Sequence, residues 1–204
     1  RVRKAGEIMK RTRFMICLIP AVILVAAAFA GRYFLPYGPF DTDFEAALQA
    51  PSRAHLFGTD NVGRDVLSRV IYGARNSFAL TFLMIAIVSV LGTLIGIVAG
   101  YFGGILDTVL MRWIDILLAF PDSVFAIAVV GIMGPGLFNT VVALSFIWWT
   151  KYARMARGLT QSIRHKDYMI QARFGGAGTV GILLRYILPN IIPQVIIMAT
   201  LDVG

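Results

Sequence analysis

Apolar positions in this chain run in long unbroken blocks separated by polar, turn-rich stretches. They show neither the alternation of a half-buried strand nor the one-sided stripe of a soluble helix, and blocks of this length predict membrane-crossing helices. Residues 14–31 carry no charge over 18 positions, just enough at about 1.5 Å per residue to cross a hydrocarbon core of about 30 Å. Residues 32–75 are mixed and broken by Pro36, Gly38, Pro39, Pro51, Gly58 and Gly63. They predict a loop outside the cytoplasm, with a short amphipathic helix over 64–71 on the membrane surface. Residues 76–106 are free of charge for 31 positions and form the second predicted span. A third covers 107–133 around Pro121, a fourth begins at 137 and leaves the membrane near 150, and a fifth begins near Tyr186. Gly103-Gly104 and Gly134-Pro135-Gly136 supply turns between them. The predicted fold is all-α, a polytopic transmembrane helical bundle. Residues 1–13 form a short N-terminal segment and 14–204 the membrane domain. The chain starts at Arg and stops inside its fifth apolar block, so it is expected to be trimmed at both ends, with C-terminal spans missing.

Composition supports the membrane reading. The chain is 58% hydrophobic and 15% charged, with mean hydropathy +0.76, whereas soluble domains carry about 25% charge. The formal charge of +8 raises nucleic acid as a partner, but its distribution decides against that. Residues 1–13 carry net +5, residues 151–185 carry net +6, and residues 32–75 balance five arginines against five acids. Two basic zones and one neutral zone fit the positive-inside pattern, with the N-terminus and the 151–185 loop in the cytoplasm. The first apolar block, with basic residues before it and Ala28-Phe29-Ala30 near its end, also has the outline of a signal peptide. The spans that follow favour an uncleaved first helix. Cys17 is the single cysteine, which excludes an internal disulfide and points to a small packing residue.

Few positions offer chemistry. A phosphate loop needs a glycine-rich turn ending in Gly-Lys, and no lysine here follows a glycine. His55 and His165 fall on opposite sides of the membrane in this topology and read as solvated surface histidines, so no metal cluster and no catalytic residue is predicted. Within the spans, ionisable groups are the default functional candidates. Asp107 and Arg112 lie near the cytoplasmic interface, solvated or paired. Asp115 stands three residues from Arg112, and an Arg112–Asp115 pair on one helical face is the favoured account. Asp122 follows the helix-breaking Pro121; with Ser123 it either lines a solute path or caps the restarted helix. Gly92, Gly96 and Gly100 recur every fourth residue, which puts small residues on one face for close helix packing.

The most informative stretch is the polar, glycine-bearing insert from Tyr168 to Asn190, read beside the basic stretch just before it. Trp148-Trp149-Thr-Lys-Tyr-Ala-Arg-Met-Ala-Arg leaves the membrane with aromatics at the interface. Helix-competent residues continue to Phe174, and Gly175, Gly176 and Gly178 then allow a sharp bend. Leu188-Pro189-Asn190 marks re-entry. This arrangement resembles the inner-membrane permease subunits of ATP-binding-cassette importers, in the group that takes up dipeptides, oligopeptides and nickel. Those permeases carry a Glu-Ala-Ala loop with a glycine a few residues on, followed by an Ile-Leu-Pro-Asn-like segment. Aligned on Gly176-Ala177 and Leu188-Pro189-Asn190, the opening positions of that loop are Ile170, Gln171 and Ala172. The stretch Phe57-Gly-Thr-Asp-Asn-Val-Gly-Arg-Asp-Val-Leu-Ser-Arg, with Gly73 and Arg75 after it, is similar to the Gly-Thr-Asp-x-x-Gly-Arg-Asp segment that follows the first helix in the same group. Tyr152-Ala-Arg-Met-Ala-Arg is a third point of likeness.

The resemblance implies a type I importer permease in the bacterial inner membrane. Its expected partners are a second related permease, two ATPases holding ATP and Mg, and an extracytoplasmic substrate-binding protein; the chain itself binds no cofactor. It implies a coupling helix over 170–179, with Ile170, Gln171, Ala172, Arg173, Gly175, Gly176, Ala177 and Gly178 docked on an ATPase and Arg154, Arg157 and Arg164 positioning the loop. Ile170 stands where the family has an acidic residue, and Gln171 where it has alanine. That departure, with Ala199-Thr-Leu-Asp-Val-Gly204, resembles nickel-type permeases more than peptide-type ones. The expected solute is thus nickel or another transition metal, carried as a chelate, with a dipeptide or oligopeptide as the alternative. A secondary transporter would need an intramembrane ion site, for which only Asp122 beside Pro121 is a candidate.

Overall fold

The structure, a computed structural model, describes residues 19–20, 22–23, 25–33 and 35–203, apart from the side chain of Arg32. The basic segment 1–13, Cys17 and much of the first apolar block lie outside the described residues. What is described there is helical at 19–20, 22–23 and 25–30 (α1). The chain divides within its longest helix into two compact units, one ending at Ala79 and the other beginning at Leu80. Among the described residues, seven more α-helices follow α1: α2 (Val66–Phe102), α3 (Gly104–Leu118), α4 (Asp122–Met133), α5 (Leu137–Arg164), α6 (Asp167–Phe174), α7 (Thr179–Ile182) and α8 (Leu188–Val203). Among the described residues, two stretches, Val66–Phe102 and Thr179–Val203, are long and apolar enough to cross a membrane. The pair α3 and α4, bent by 82°, makes a third if counted as one broken span. Among the described residues the only β-type pairing is an isolated bridge between Thr59 and Asp65.

In the first unit, two aspartates organise the segment between α1 and α2. Asp60 Oδ1 accepts the amides of Val62 and Arg64, both at 3.0 Å, and Oδ2 accepts Arg64 Nε at 2.8 Å and the Arg69 guanidinium. Gly63 closes this turn at φ 77°, and a Cβ there would lie 1.6 Å from the Asp43 carbonyl oxygen, so glycine is required. Asp65 satisfies the open end of α2, accepting the Ser68 amide at 2.8 Å and the Ser68 hydroxyl at 2.7 Å. Its other oxygen lies 3.0 Å from His55 Nδ1, and Tyr37 stacks on that imidazole with centroids 4.6 Å apart. His55 is therefore not a solvated surface residue; its side chain is 13% exposed. The expected surface helix over 64–71 is absent as a separate element. Once Asp65 has capped the first turn nothing interrupts the hydrogen-bond ladder, and α2 runs on as a single helix of 37 residues.

In the second unit, α2 and α5 meet backbone to backbone. A Cβ on Gly92 would lie 2.3 Å from the Trp149 carbonyl oxygen, on Gly96 2.2 Å from that of Ala153, and on Gly100 2.7 Å from that of Arg157. Each glycine thus makes room for the carbonyl four residues on from the last, a contact that larger residues would hold open. Around the seam lie two clusters, one built on Met84, Ile85, Val88 and Tyr152, the other on Ile97, Ala156, Ile163, Met169, Ile182, Ile187 and Ile191. The helix-competent run expected to reach Phe174 is divided: α5 continues past Thr150 to Arg164, where Tyr152, Ala153, Ala156, Thr160 and Ile163 keep one face buried, and α6 takes over at Asp167.

Three cations at three-residue spacing on that same helix bind the broken span. Arg157 pairs with Asp107 through Nε at 2.5 Å and Nη2 at 2.7 Å, Arg154 with Asp115 at 2.6 Å, and Lys151 with Asp122 at 3.0 Å. The expected Arg112–Asp115 pair is not formed. A cation three residues away on its own helix competes poorly with one presented by a packed neighbour. The break itself follows from Pro121, which has no amide proton to continue the ladder. The two left-handed glycines Gly103 (φ 67°) and Gly104 (φ 60°) start α3 three residues before the expected boundary. Re-entry begins at Thr179 rather than near Tyr186, and the helix passes through a π-turn over Leu183–Ile187 before α8. Pro189 follows this wider turn, which absorbs the clash between its ring and the carbonyl of Arg185.

Two outcomes are expected. Gly96→Ala should lower the thermal midpoint of the purified protein by an amount corresponding to about 1–3 kcal/mol, since the two backbones must separate. Gly158→Ala, where nothing lies within 4 Å, should not lower it and should raise it slightly, since alanine is the better helix former. Asp60 gives a pH signature. Desolvation pushes its carboxyl up, but the Val62 and Arg64 amides and then the Arg64 guanidinium outweigh it and lower it from 3.8 to about 2. A lowered folded value means stabilisation that is complete above the ordinary value and lost as pH falls through the lowered one. Exchange protection of the Val62 and Arg64 amides, corrected for intrinsic rates, should be flat above about pH 4 and fall toward pH 2. Asp60→Asn should abolish that dependence.

Candidate functional site

The glycine-bent loop is built around α6, an eight-residue helix over Asp167–Phe174. It carries Asp167 in its first turn and Arg173 in its last, each sign matched to the helix dipole. It stops in a Schellman motif: the Ala177 amide donates to the Ala172 carbonyl and the Gly176 amide to that of Arg173, both at 3.0 Å. Gly176 takes the left-handed conformation this requires, at φ 78°. Gly178 then precedes the first residue of α7. The expected helix over 170–179 is therefore displaced toward the N-terminus. Gly175, Gly176, Ala177 and Gly178 form the turn, while Ile170, Gln171, Ala172 and Arg173 lie on the helix.

Two contacts hold α6 in place, and a third ties the end of α5 just before it to α2. Met169 is completely buried in the cluster that contains Ala156 and Ile163 of α5 and Ile182 of α7. The Arg173 guanidinium lies over the Tyr101 ring at 5.7 Å from its centroid. Arg164, at the end of α5, donates to the Tyr101 carbonyl at 2.8 Å and to that of Gly100 at 3.4 Å. It thus satisfies open carbonyls at the C-terminus of α2, where a cation is also favoured by the dipole. Of the three arginines expected to position the loop, only Arg164 acts beside it; Arg154 and Arg157 are engaged by Asp115 and Asp107.

The opposite side of α6 is open. Ile170 is 47% exposed and Phe174, one turn on, is 88% exposed. The helix thus presents two neighbouring apolar side chains outward while a third anchors it from behind. Sequence reasoning missed Met169, Phe174 and Tyr101. Their signal was available in part, since Met169 and Arg173 fall on one helical face and Ile170 and Phe174 on another.

The remaining candidates lie elsewhere. Gly92, Gly96 and Gly100 form the α2–α5 seam. Asp122 opens α4 and is bound to Lys151, whose ammonium also sits 4.4 Å from the Trp148 ring. The N-cap position is held by Pro121, with Asp122 in the first turn of the helix, and Ser123 beside it is exposed. His165 is exposed, with Nδ1 2.8 Å from the Gln161 carbonyl oxygen. No group of three His, Cys, Asp or Glu side chains among the described residues is placed to hold a metal ion.

Comparison with known proteins agrees with this layout. Residues 92–204, which hold the glycine seam and the bent loop, match the family described as "Binding-protein-dependent transport system inner membrane component". Over 189 residues the chain is 35% identical to the nickel transport system permease protein NikC of Escherichia coli (strain K12), covering 93% of this chain and 68% of that protein. It is 34% identical over 196 residues to the dipeptide transport system permease protein DppC of Haemophilus influenzae, covering 93% and 66%. It is 37% identical over 184 residues to the glutathione transport system permease protein GsiD of Pectobacterium atrosepticum, covering 90% and 61%. The chain thus spans about two thirds of the length of these relatives. Their named solutes differ while their identities to this chain stay within 34–37%, so kinship reaches the transporter type and stops short of the cargo. With its helical membrane architecture and these relatives, the chain belongs to the binding-protein-dependent inner-membrane components, the permease subunits of ATP-binding-cassette importers in the nickel, peptide and glutathione group.

Proposed function

We propose that this permease converts the cycle of a partner ATPase into solute movement through α6. The observation that carries this reading is the two-sided character of that helix, with Met169 locked into the helical core and Phe174 almost fully exposed. An ATPase groove that buries Ile170 and Phe174 would gain about 1.5–3 kcal/mol from each. Moving a two-state equilibrium from mostly one form to mostly the other takes about 5.5 kcal/mol of differential binding. The two side chains together are of that order, so docking need not use the acidic residue that Ile170 replaces. Force on α6 passes through Met169 to α5 and through Arg164 and the Arg173–Tyr101 contact to the end of α2. The glycine seam makes those two helices move as one body, shifting the population between inward- and outward-facing states.

In this reading the N-terminus and the loop around α6 face the cytoplasm. The assembly contains a second permease, two ATPases that bind ATP and Mg, and an extracytoplasmic binding protein, with the solute path between the two permeases. The proposed solute is nickel or another transition metal as a chelate, supported by the nickel permease among the relatives and by Ile170 at the loop's opening position. A peptide is the second reading, favoured by the dipeptide and glutathione permeases at matching identity.

In the reconstituted complex, Phe174→Ala should cut solute-stimulated ATP hydrolysis and uptake by about tenfold, which corresponds to about 1.4 kcal/mol of docking energy, while leaving permease abundance in the membrane unchanged. Phe174→Leu should retain most of both. Unaltered uptake in Phe174→Ala would refute docking through this helix. For the solute, the same complex with its binding protein should be stimulated by a nickel chelate; stimulation by dipeptide alone would replace the metal reading with the peptide one.

A further inference from the structure

The first unit holds a cavity of about 250 Å³ that the coupling reading does not use. Its wall comprises Ala28 of α1, Pro36 and Tyr37 of the following segment, and Ile71, Tyr72 and Arg75 of α2. Most of that wall is apolar, and Arg75 is the cation among its lining residues. Arg75 is half-buried, and among the described residues it has no hydrogen-bond or ion-pair partner. The nearby carboxylates are taken: Asp65 by His55 and Ser68, and Asp41 by the Gly38 amide at 2.9 Å. A half-buried guanidinium beside an open cavity, with no anion of its own chain, calls for an anion from outside.

Its position along the chain says which anion. Arg75 is the last charge before the 31 uncharged residues of 76–106, and Arg32 is the first charge after the uncharged block 14–31. Both mark where apolar stretches meet the polar boundary. Tyr37 and Tyr72 in the wall, with Phe40 edge-on to Tyr72 at 5.2 Å, form the aromatic setting typical of that depth. A soluble anion would gain nothing from an apolar wall, and a protein carboxylate would have to be carried down to the lipid boundary. A phospholipid brings a phosphodiester for the guanidinium and a glycerol and acyl portion for the rest. We propose that this cavity is a binding site for one phospholipid headgroup, with Arg75 holding the phosphate and Tyr37, Tyr72, Pro36 and Ala28 enclosing the glycerol.

The test uses the full permease complex in nanodiscs of phosphatidylglycerol and phosphatidylethanolamine, with retained lipid counted by native mass spectrometry. One phospholipid should remain bound, its retention falling about fivefold in Arg75→Gln, the size of one arginine contact at a lipid surface, and only partly in Arg75→Lys. Ala28→Leu, which fills the cavity and leaves the guanidinium in place, should lose the same lipid and keeps the test open if the glutamine variant does not assemble. Arg69→Gln, whose guanidinium already pairs with Asp60, should keep it. Equal retention by the native protein, Arg75→Gln and Ala28→Leu overturns the proposal. Displacement of the lipid by excess inorganic phosphate overturns the lipid as source in favour of a free anion. Weaker binding-protein association in Arg75→Gln with lipid retention unchanged overturns it in favour of an acidic side chain of a partner.

Discussion

Three carbonyl oxygens of α5, those of Trp149, Ala153 and Arg157, occupy the space where Gly92, Gly96 and Gly100 would otherwise carry a Cβ. In a bilayer no hydrophobic force drives helices together, because lipid tails are as apolar as leucine, so association rests on close van der Waals contact and polar groups. Removing side chains from one face lets the two backbones touch along two full turns and brings Cα hydrogens within reach of carbonyl oxygens. The other features of the second unit hang on this seam. It places the cations of α5 beside the broken span, brings Arg164 onto the end of α2, and aligns Ala156 and Ile163 to receive Met169.

The ion pairs extend the seam's effect sideways. Lys151, Arg154 and Arg157 meet Asp122, Asp115 and Asp107, so cations advancing along α5 meet acids retreating through α4 and α3. Only the Asp107 pair is well shielded, with the carboxylate 12% exposed and Gln161 Nε2 also within 3.3 Å. The Asp115 pair is half exposed on both sides and contributes little by itself. Asp107 also lies in the first turn of α3, where a carboxylate is favoured by the helix dipole. The shielded pair therefore fixes where α3 starts, and the outer two guide the bent span along α5. Removing one member of the shielded pair would strand its partner, so the pair is better seen as fixing register than as a net source of stability.

Much of the architecture was legible in the chain. Uncharged blocks longer than a bilayer core admit few alternatives to helices, and Gly92, Gly96 and Gly100 show their common face by spacing alone. The bend at Gly175–Gly178 was readable because glycine takes the left-handed turn that Gly176 makes without steric cost. Other features were not legible, for identifiable reasons. Asp115 has a cation three residues away in sequence, and nothing local reveals that Arg154 from another helix is better placed. His55 looks like any loop histidine until Asp65 and Tyr37 close on it. Helix ends at 102, 164 and 174 depend on which side chains find a buried face, as Tyr152, Ile163 and Met169 do, and that is decided by neighbouring helices.

The sequence by itself determined the class of the molecule: apolar blocks for spans, glycines for the seam and the bend, and a set of motifs shared with importer permeases. It could do so because period, block length and backbone permissiveness are local properties of the chain. Only the tertiary structure decided which charge meets which, and that α6 begins at Asp167 with Met169 turned inward and Phe174 outward. It alone left Arg75 beside a cavity without an anion. Those outcomes depend on contacts between residues tens of positions apart, where the energy of a pair is set by what packs around it and not by the residues that flank it in sequence.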